Sequence, residues 1–445
     1  MNYSSVEIIK RKKIPTLSEN ALLRYLTFSA LYFAQGIPNG LLWYALPAWM
    51  AMNGKTPAEI GSFVAVIGIP WSFKIVVAPF MDRFTFLPMG RRKPWLLFGQ
   101  VGLVINFFTL AIINDPLNHL SILMFLGFMS SLASIFQDIS VDSLAIDILP
   151  VDQQARANGL MWGSKVLGTS ATVAITSWLI NHYGYFLSMM SFSVIVLAIM
   201  LIPLFLKERP GEKRFPWSEG KASPQTKEIQ LHSWKLIFKS LFRVFILPMS
   251  LIMGVAAFSQ AVARGLIDAI LPVFTVQELG WTDAFYSKVF ASSALVAGVL
   301  GMFVGGAMID IFGKIRMMTI YAVSLIALLL GMTFLTQFWS NNYFVIGFFV
   351  AFYVLDVFIT IAIFAIAMQL SWKRIAATQF TLYMAIANIG LSVGPYIMGV
   401  LKTHFNWQIV FMAYLVFMLA VLTAMRLMNF EKHKKHMAEL EAQYD

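Results

Sequence analysis

The sequence predicts an all-α membrane protein with twelve transmembrane helices in two pseudo-symmetric six-helix bundles. Three observations lead there. Residues that tolerate lipid make up 59% of the 445-residue chain and only 12% are charged, too little polar surface for a water-soluble protein of this size. Apolar runs of about 20 residues, long enough to cross hydrocarbon, recur along the whole length. A cationic loop also occurs twice, half a chain apart. Its first copy is Asp82-Arg83 followed by Gly90-Arg91-Arg92-Lys93, and its second is Asp310-Ile311-Phe312-Gly313-Lys314-Ile315-Arg316. A repeated Asp–Gly–basic loop between spans points to two related bundles rocking about a shared cavity, which is the architecture of a carrier.

The elements follow in order. Residues 1–23 are polar and basic, with Lys10 to Lys13. No small-residue cleavage site follows the first apolar run, 24–50, so it reads as a retained span. Spans 58–81 and 95–113 flank the first cationic loop. Spans 119–147, 156–181 and 186–206 complete an N-terminal bundle, 24–206. Residues 207–241 start Lys-Glu-Arg-Pro-Gly-Glu-Lys-Arg and continue to Lys239, a polar linker between bundles. The C-terminal bundle, 242–429, contains spans 242–276, 284–309, 316–337, 343–370, 376–401 and 407–429. The tail, 430–445, reads as a charged helical end with no apolar face, a solvated stop to the last span. Gly and Pro are frequent inside the spans, which membrane helices tolerate, and the longer spans imply tilt.

The net charge of +11 is distributed by side. With the N-terminus in the cytoplasm, Lys55, Lys288 and Lys402 fall outside. Lys74, Lys165 and Arg264 fall within spans, and the remaining Lys and Arg lie in or beside cytoplasmic segments. That asymmetry predicts both termini inside. It also makes the cations topological anchors near a lipid bilayer rather than a nucleic-acid groove. There are no cysteines, and the six histidines show no metal-binding spacing, so no metal and no cofactor is expected. No Walker loop is present, so ATP does not drive the chain directly.

The halves read as copies. Gln35 and Pro47 match Gln260 and Pro272. Gly54, Thr56 and Ala58 match Gly280, Thr282 and Ala284, Asp82 matches Asp310, and Gly168 and His182 match Gly390 and His404. The offset drifts only slightly around 225 residues, as loop insertions and deletions would produce.

On these features the chain resembles the major facilitator superfamily over nearly its full length. The Asp-Arg…Gly-Arg-Arg loop is similar to that superfamily's signature loop. It differs in having Pro79 near a usual glycine and a stretched Asp82–Gly90 spacing. Both differences resemble the branch of bacterial muropeptide permeases and acetyl-CoA transporters, and some siderophore permeases look much the same. Further stretches that carry the resemblance are Tyr32-Phe33-Ala34-Gln35-Gly36-Ile37-Pro38, Ala78-Pro79-Phe80-Met81-Asp82-Arg83, Gly90-Arg91-Arg92-Lys93-Pro94-Trp95, Gln137-Asp138-Ile139 with Asp142 and Asp147, and Ala377-Thr378-Gln379-Phe380. The resemblance implies a monomer in a bacterial inner membrane that moves its solute inward.

Charges inside the spans are the candidate working parts, because each costs about 2.5–3.5 kcal/mol on insertion scales. At 1.5 Å of rise per residue, Lys74, Asp138, Asp142 and Lys165 share a layer roughly 12–18 Å deep. Asp138 and Asp142 are four apart and stack on one helix face. Lys74 is expected to pair with Asp142 or Asp138, either within a transport network or as a structural lock. Lys165 is expected to face the cavity with the remaining carboxylate. Asp147 is expected to meet Arg83, Arg91 or Arg92 at the inner gate. In the other half, Arg264 and Asp268 are four apart and form either a self-neutralising pair or a switch in which an anionic substrate takes Arg264 and releases Asp268. Asp356 has no sequence-local partner. It suits a proton carrier, the alternative being a hydrogen-bonded neutral acid with no part in transport. Gln35, Asn39, Gln260 and Asn388 add uncharged hydrogen-bonding groups. Trp43, Tyr44 and Trp162 are aromatics that could stack on a ring.

The expected function is secondary active transport of a small anionic or zwitterionic solute, muropeptide-like and coupled to protons through Asp138 or Asp356. A siderophore importer and a drug or metabolite exporter are the alternatives of the same fold. A membrane sensor would need a larger cytoplasmic domain than the linker provides. An enzyme is not expected, because Asp138 and Asp142 share one helix with no nucleophile or metal set beside them.

Overall fold

The structure, a computed structural model, describes residues 15–53, 55, 57–230, 233–281 and 283–442. Lys10 to Lys13, Gly54, Thr56, Thr282 and residues 443–445 lie outside that set. Within it the regular structure is entirely helical.

Helix α1 starts at Ala21, where the Asn20 side chain accepts from the Leu23 N–H at 2.9 Å. It runs to Gly40, passes a π-helical turn at Leu41–Ala45, and ends as Leu46–Met52. Helix α2 has two segments, Pro57–Ser72 and Lys74–Arg83. They part at Phe73, whose N–H turns back to the Pro70 carbonyl at 2.9 Å. Helices α3 and α4 are Lys93–Ile112 and Leu120–Ile148. Helices α5 and α6 fill Gln154–Phe205 and are separated at Gly184, where φ is +84°.

Trp234–Phe245 forms α7, which does not cross. Helix α8 is Pro248–Gln277. Helix α9 repeats the plan of α1: Asp283–Leu300, a π-helical turn at Gly301–Gly305, then Gly306–Phe312. Helices α10 to α13 are Lys314–Phe334, Asn342–Leu370, Ala376–His404 and Trp407–Leu427. The tail helix α14 is Phe430–Glu441. The crossings are thus α1–α6 and α8–α13, six per half.

Nine helices among the described residues are long and apolar enough to cross on composition alone. The three that fall short are α1, α2 and α5. Of these, α1 and α2 are interrupted, and the three together carry Gln35, Asn39, Lys74 and Lys165. Their polarity is tolerated because it faces protein rather than lipid.

The halves share one packing device. Helices α1 and α5 meet backbone to backbone, so a methyl group on Gly36 would sit 2.5 Å from the Lys165 carbonyl oxygen. Helices α8 and α12 do the same, with a Gly390 methyl 2.5 Å from the Phe258 carbonyl oxygen. Small residues permit this close approach where lipid supplies no hydrophobic drive between helices.

Two sequence expectations are corrected. The seventh crossing begins at Pro248 and not at residue 242, because residues up to Phe245 belong to α7. Proline suits the first turn of a helix, where its missing N–H costs nothing. The tail does have an apolar face. Met437 and Leu440 pack into a cluster with Ile237, Val244, Trp372 and Ile375.

Both described chain ends, the linker and both cationic loops gather at one end of the molecule, here called the linker end. Leu17 and Ser18 N–H donate to the Lys207 and Glu208 carbonyls at 3.0 Å. Arg374 of the α11–α12 loop reaches Glu441 of the tail at 2.6 Å.

Candidate functional site

At the linker end the first cationic loop is a buried ionic knot. Arg92 bridges Asp82 at 2.8 Å and Asp147 at 3.0 Å. Arg91 meets the same two carboxylates at 3.2 and 3.4 Å. All four side chains are fully buried. The knot reaches across to the other half. Asp82 accepts from the Thr378 N–H at 2.9 Å and its hydroxyl at 2.8 Å. Arg91 donates to the Lys373 carbonyl and, at 2.5 Å, to the Arg374 carbonyl. Burial and the neighbouring Arg92 charge push Arg91 down to about 10. Burial also opposes the Arg92 charge, but Asp147 and Asp82 outweigh it and raise that guanidinium above its ordinary value. Arg83 does not join Asp147 as one expectation had it. Its guanidinium lies over the Phe84 and Trp234 rings, at 4.9 and 5.0 Å, because Asp147 is already occupied by Arg91 and Arg92.

The linker straps this knot. Glu208 accepts from three successive N–H groups, Arg91 at 2.9 Å, Arg92 at 2.8 Å and Lys93 at 2.5 Å. A carboxylate at the first N–H groups of α3 meets the positive end of the helix. Gly90 has φ +104°, and a methyl there would lie 2.4 Å from the Glu208 carboxyl carbon, so only glycine fits. Gln230 donates to the Asp82 and Arg83 carbonyls at 2.8 and 3.0 Å. Burial pushes the Glu208 carboxyl up, and it pushes Glu212 up to about 7 with the Glu208 charge adding to the effect.

The second loop copy is simpler. Asp310 accepts from the Arg156 N–H at 3.0 Å and pairs with its side chain at 3.5 Å, again joining the two halves. Lys314 donates to Gln154 and Gln369 at 3.0 and 2.9 Å. Gly313 takes φ +92° between α9 and α10, and Arg316 is exposed.

The charged layer of the N-terminal half closes on itself. Lys74 pairs with Asp138, and Gln35 donates to the other oxygen of that carboxylate. Asp142 accepts from the Tyr32 hydroxyl. Lys165 was expected to take the remaining carboxylate. It does not, and among the described residues it has no carboxylate within 4.0 Å. Its ammonium lies over the Trp162 ring at 5.1 Å. Asn39 donates to Thr169 at 3.3 Å. Gln35, Asn39, Trp43 and Lys165 line one narrow space with Trp71 and Ser134.

The C-terminal half is open by comparison. A cavity of about 370 Å³ is lined by Tyr44, Trp162, Gln260, Arg264, Asp268 and Asn388, among others. Arg264 sits between two acids, 3.4 Å from Asp356 and 3.6 Å from Asp268. Gln260 donates to Asp356 at 3.3 Å and to the Thr360 hydroxyl at 3.5 Å. Asp356 therefore is not a lone acid, since a helix far away in sequence supplies its partner. The Arg264 and Asp268 side chains are 36% and 39% exposed, whereas Asp356 is 2% exposed, so the pair that faces the cavity hides a third group behind it. Below it, Trp162 of α5 stacks on Phe364 of α11 at 5.0 Å, a contact between halves.

Sequence reasoning did not assign roles to Tyr32, Glu208, Gln230 or Thr378. Tyr32 was legible in principle, standing three residues before Gln35 on the same face of α1. The linker residues carried no local signal.

A family model for the Major Facilitator Superfamily matches residues 28–387. The anhydromuropeptide permease of Escherichia coli (strain K12) is 23% identical over 380 residues, covering 85% of this chain and 74% of that protein. The putative transporter AmpG 4 of Rickettsia conorii is 24% identical over 430 residues, covering 90% and 95% of the two chains. Among solved structures, the Major Facilitator Superfamily transporter FucP in its outward conformation has a TM-score of 0.67 at 16% identity, covering 91% of this chain and 98% of that one. The chain belongs to the Major Facilitator Superfamily and is a multi-pass membrane transporter, not an enzyme.

Proposed function

We propose that this Major Facilitator Superfamily transporter moves a small anionic or zwitterionic solute, muropeptide-like, inward across a bacterial inner membrane by alternating access coupled to protons. The linker end is the cytoplasmic side, since the basic loops gather there. With the knot of Asp82, Arg91, Arg92 and Asp147 made, the halves are joined at that end and the carrier awaits solute from the other.

One observation carries the reading. Arg264 stands in the cavity between an exposed acid, Asp268, and a hidden one, Asp356. An arriving carboxylate or phosphate competes with both acids for the guanidinium, which binds planar anions well. An acid that loses its cation in a dry site takes up a proton. Solute and proton thereby enter together: counting Arg264 and Lys165 against Asp268 and Asp356, the site is neutral when empty and neutral again with one monoanion and one proton, whereas either alone leaves one charge uncompensated. The cavity then closes over a neutral load, which is the requirement for moving it through a low-dielectric path. Lys165, without a carboxylate partner, offers a second cation from the opposite half. Trp162 and Tyr44 offer ring faces to a sugar. The name of the Escherichia coli relative supports the solute class.

Thermal stabilisation of the purified carrier tests this. The panel is anhydromuropeptides, metal-free and metal-loaded siderophores, sugars, acyl-CoAs and lipophilic cations, at pH 5.5 and 7.5. A shift with muropeptides that vanishes in Arg264→Gln and weakens in Lys165→Gln is the expected result. A shift confined to siderophores moves the solute class to iron chelates. A shift confined to greasy cations would overturn the anion reading and favour an exporter.

A further inference from the structure

Helix α7, Trp-Lys-Leu-Ile-Phe-Lys-Ser-Leu-Phe-Arg-Val-Phe, has no place in the transport cycle just described. At 100° per residue it presents three faces. Ile237, Ser240 and Val244 are buried and pack beside Trp372, Ile375, Met437 and Leu440. The second face bears Phe238 and Phe242, 53% and 69% exposed, with Trp234 stacked on Phe238 at 6.1 Å. The third carries Lys235 and Lys239, both exposed, followed by Arg243. No acidic residue occurs anywhere from Ser233 to Leu247.

Two large aromatics in water would be an anomaly, and the surroundings say what covers them. Trp234 meets Phe84 edge-on at 6.0 Å. Phe84 touches Phe80 at 4.7 Å, Phe80 touches Trp95 at 5.5 Å, and Trp95 touches Phe98 at 6.0 Å. Phe80, Phe84 and Phe98 are exposed on the outer face of α2 and α3, which in a spanning bundle is the lipid face. The aromatic side of α7 is thus the continuation of a row that borders lipid. Rings at that level with cations just beyond them are the arrangement of a helix lying in the bilayer surface.

We propose that α7 is an interfacial strap that docks on anionic lipid, with Phe238 and Phe242 entering the acyl boundary and Lys235 and Lys239 meeting the headgroups. Charge complementarity selects the headgroup, because this helix carries cations and no compensating acids. Through Trp372 and Ile375 the strap is packed onto the loop whose Lys373 and Arg374 carbonyls receive Arg91. Lipid at this face therefore bears on the segment that closes the linker end.

The chain has no cysteine, so a single cysteine at Phe242 can carry a spin label in the full-length protein. Its collisions with oxygen and with a water-soluble nickel chelate report immersion. A label at Val255, exposed on α8, gives the hydrocarbon reference. The vesicles are phosphatidylcholine alone or with roughly 30 mol% phosphatidylglycerol, the composition range in which basic segments are attracted. The label at 242 should be immersed in the anionic vesicles. In K235Q/K239Q its nickel access should rise by about tenfold or more, the scale set by two cations near such a surface, and K235R/K239R should restore immersion. Nickel access that is high in both vesicles overturns the docking. Immersion that ignores the headgroup, or that survives K235Q/K239Q, overturns the anionic selection.

Discussion

Two regions of this carrier start from the same sequence device and end differently. Gln35 of α1 and Gln260 of α8 are repeat partners, and each donates to an acid on the fourth crossing of its half, Asp138 or Asp356. Four residues on, Asn39 stands where the other half has Arg264. Eight residues on, Trp43 stands where it has Asp268. In the N-terminal half the cation comes instead from α2, and the Lys74–Asp138 pair is 8% and 7% exposed. In the C-terminal half the cation lies on the cavity wall and is 36% exposed. The difference teaches that burial separates a lock from a working site. Within the spans, a charge pair shut away from the cavity keeps its partner, whereas one that faces the cavity can exchange partners with a solute.

Breaking the lock should give the largest effect on folding. Lys74→Met leaves Asp138 as an uncompensated buried charge, costing about 3–5 kcal/mol. Thermal unfolding and yield in detergent should fall steeply, and adding Asp138→Asn should recover most of the loss. Transport and stability untouched by Lys74→Met would erase the contrast between the halves.

The working site should respond the other way. Arg264→Gln should cut uptake by roughly a hundredfold, the scale of about 3 kcal/mol for a lost charge-assisted contact. Its melting temperature should fall less than that of Lys74→Met, because Asp268 is left facing the cavity and the hidden Asp356 can take up a proton. A collapse of folding there, equal to that of Lys74→Met, would make Arg264 a second lock.

The gate stands between these cases. Asp82→Asn weakens the bonds to Arg91 and Arg92 and leaves the contacts to Thr378 partly made. Distances between spin labels across the linker end should broaden towards an open population, with a stability loss of about 1–2 kcal/mol. An unchanged distance distribution would remove the knot from gating.

The smallest effect concerns pH at the linker. Glu212 is raised to about 7 in the fold, against an unfolded value near 4.5. The folded state therefore holds this proton more tightly. Its contribution to stability is complete below about pH 4.5 and is lost as pH rises through about 7. Glu212→Gln should flatten that slope in melting curves taken from pH 4.5 to 8. A slope that persists in the variant would place the titration elsewhere.

Much of the fold was legible because lipid imposes length and composition, and because duplication repeats its landmarks. The pairing of charges was less so. Asp138 and Asp142 are one turn apart on one face, so sequence spacing alone could not choose between them for Lys74. The choice depended on the break of α2 at Phe73, which resets the direction of Lys74 and cannot be counted from an unbroken helix. Arg264 reaching Asp356 was hidden for a related reason, since it depends on the rotation of α8 against α11. Helix α7 was missed because Phe242 and Phe245 run directly into the apolar start of α8, and only Pro248 marks the boundary. The apolar face of α14 was outweighed by its many charges, although Met437 and Leu440 hold the spacing of one helix face.

The most direct test of the central claim is transport by Asp356→Asn in proteoliposomes, comparing accumulation driven by a proton gradient with counterflow of labelled anhydromuropeptide. With proton coupling through this acid, accumulation is abolished while counterflow continues, because the variant still rocks and binds but no longer carries the proton. Accumulation that persists at the original level would contradict proton coupling through this acid, and loss of accumulation and counterflow alike would make Asp356 a solute ligand instead.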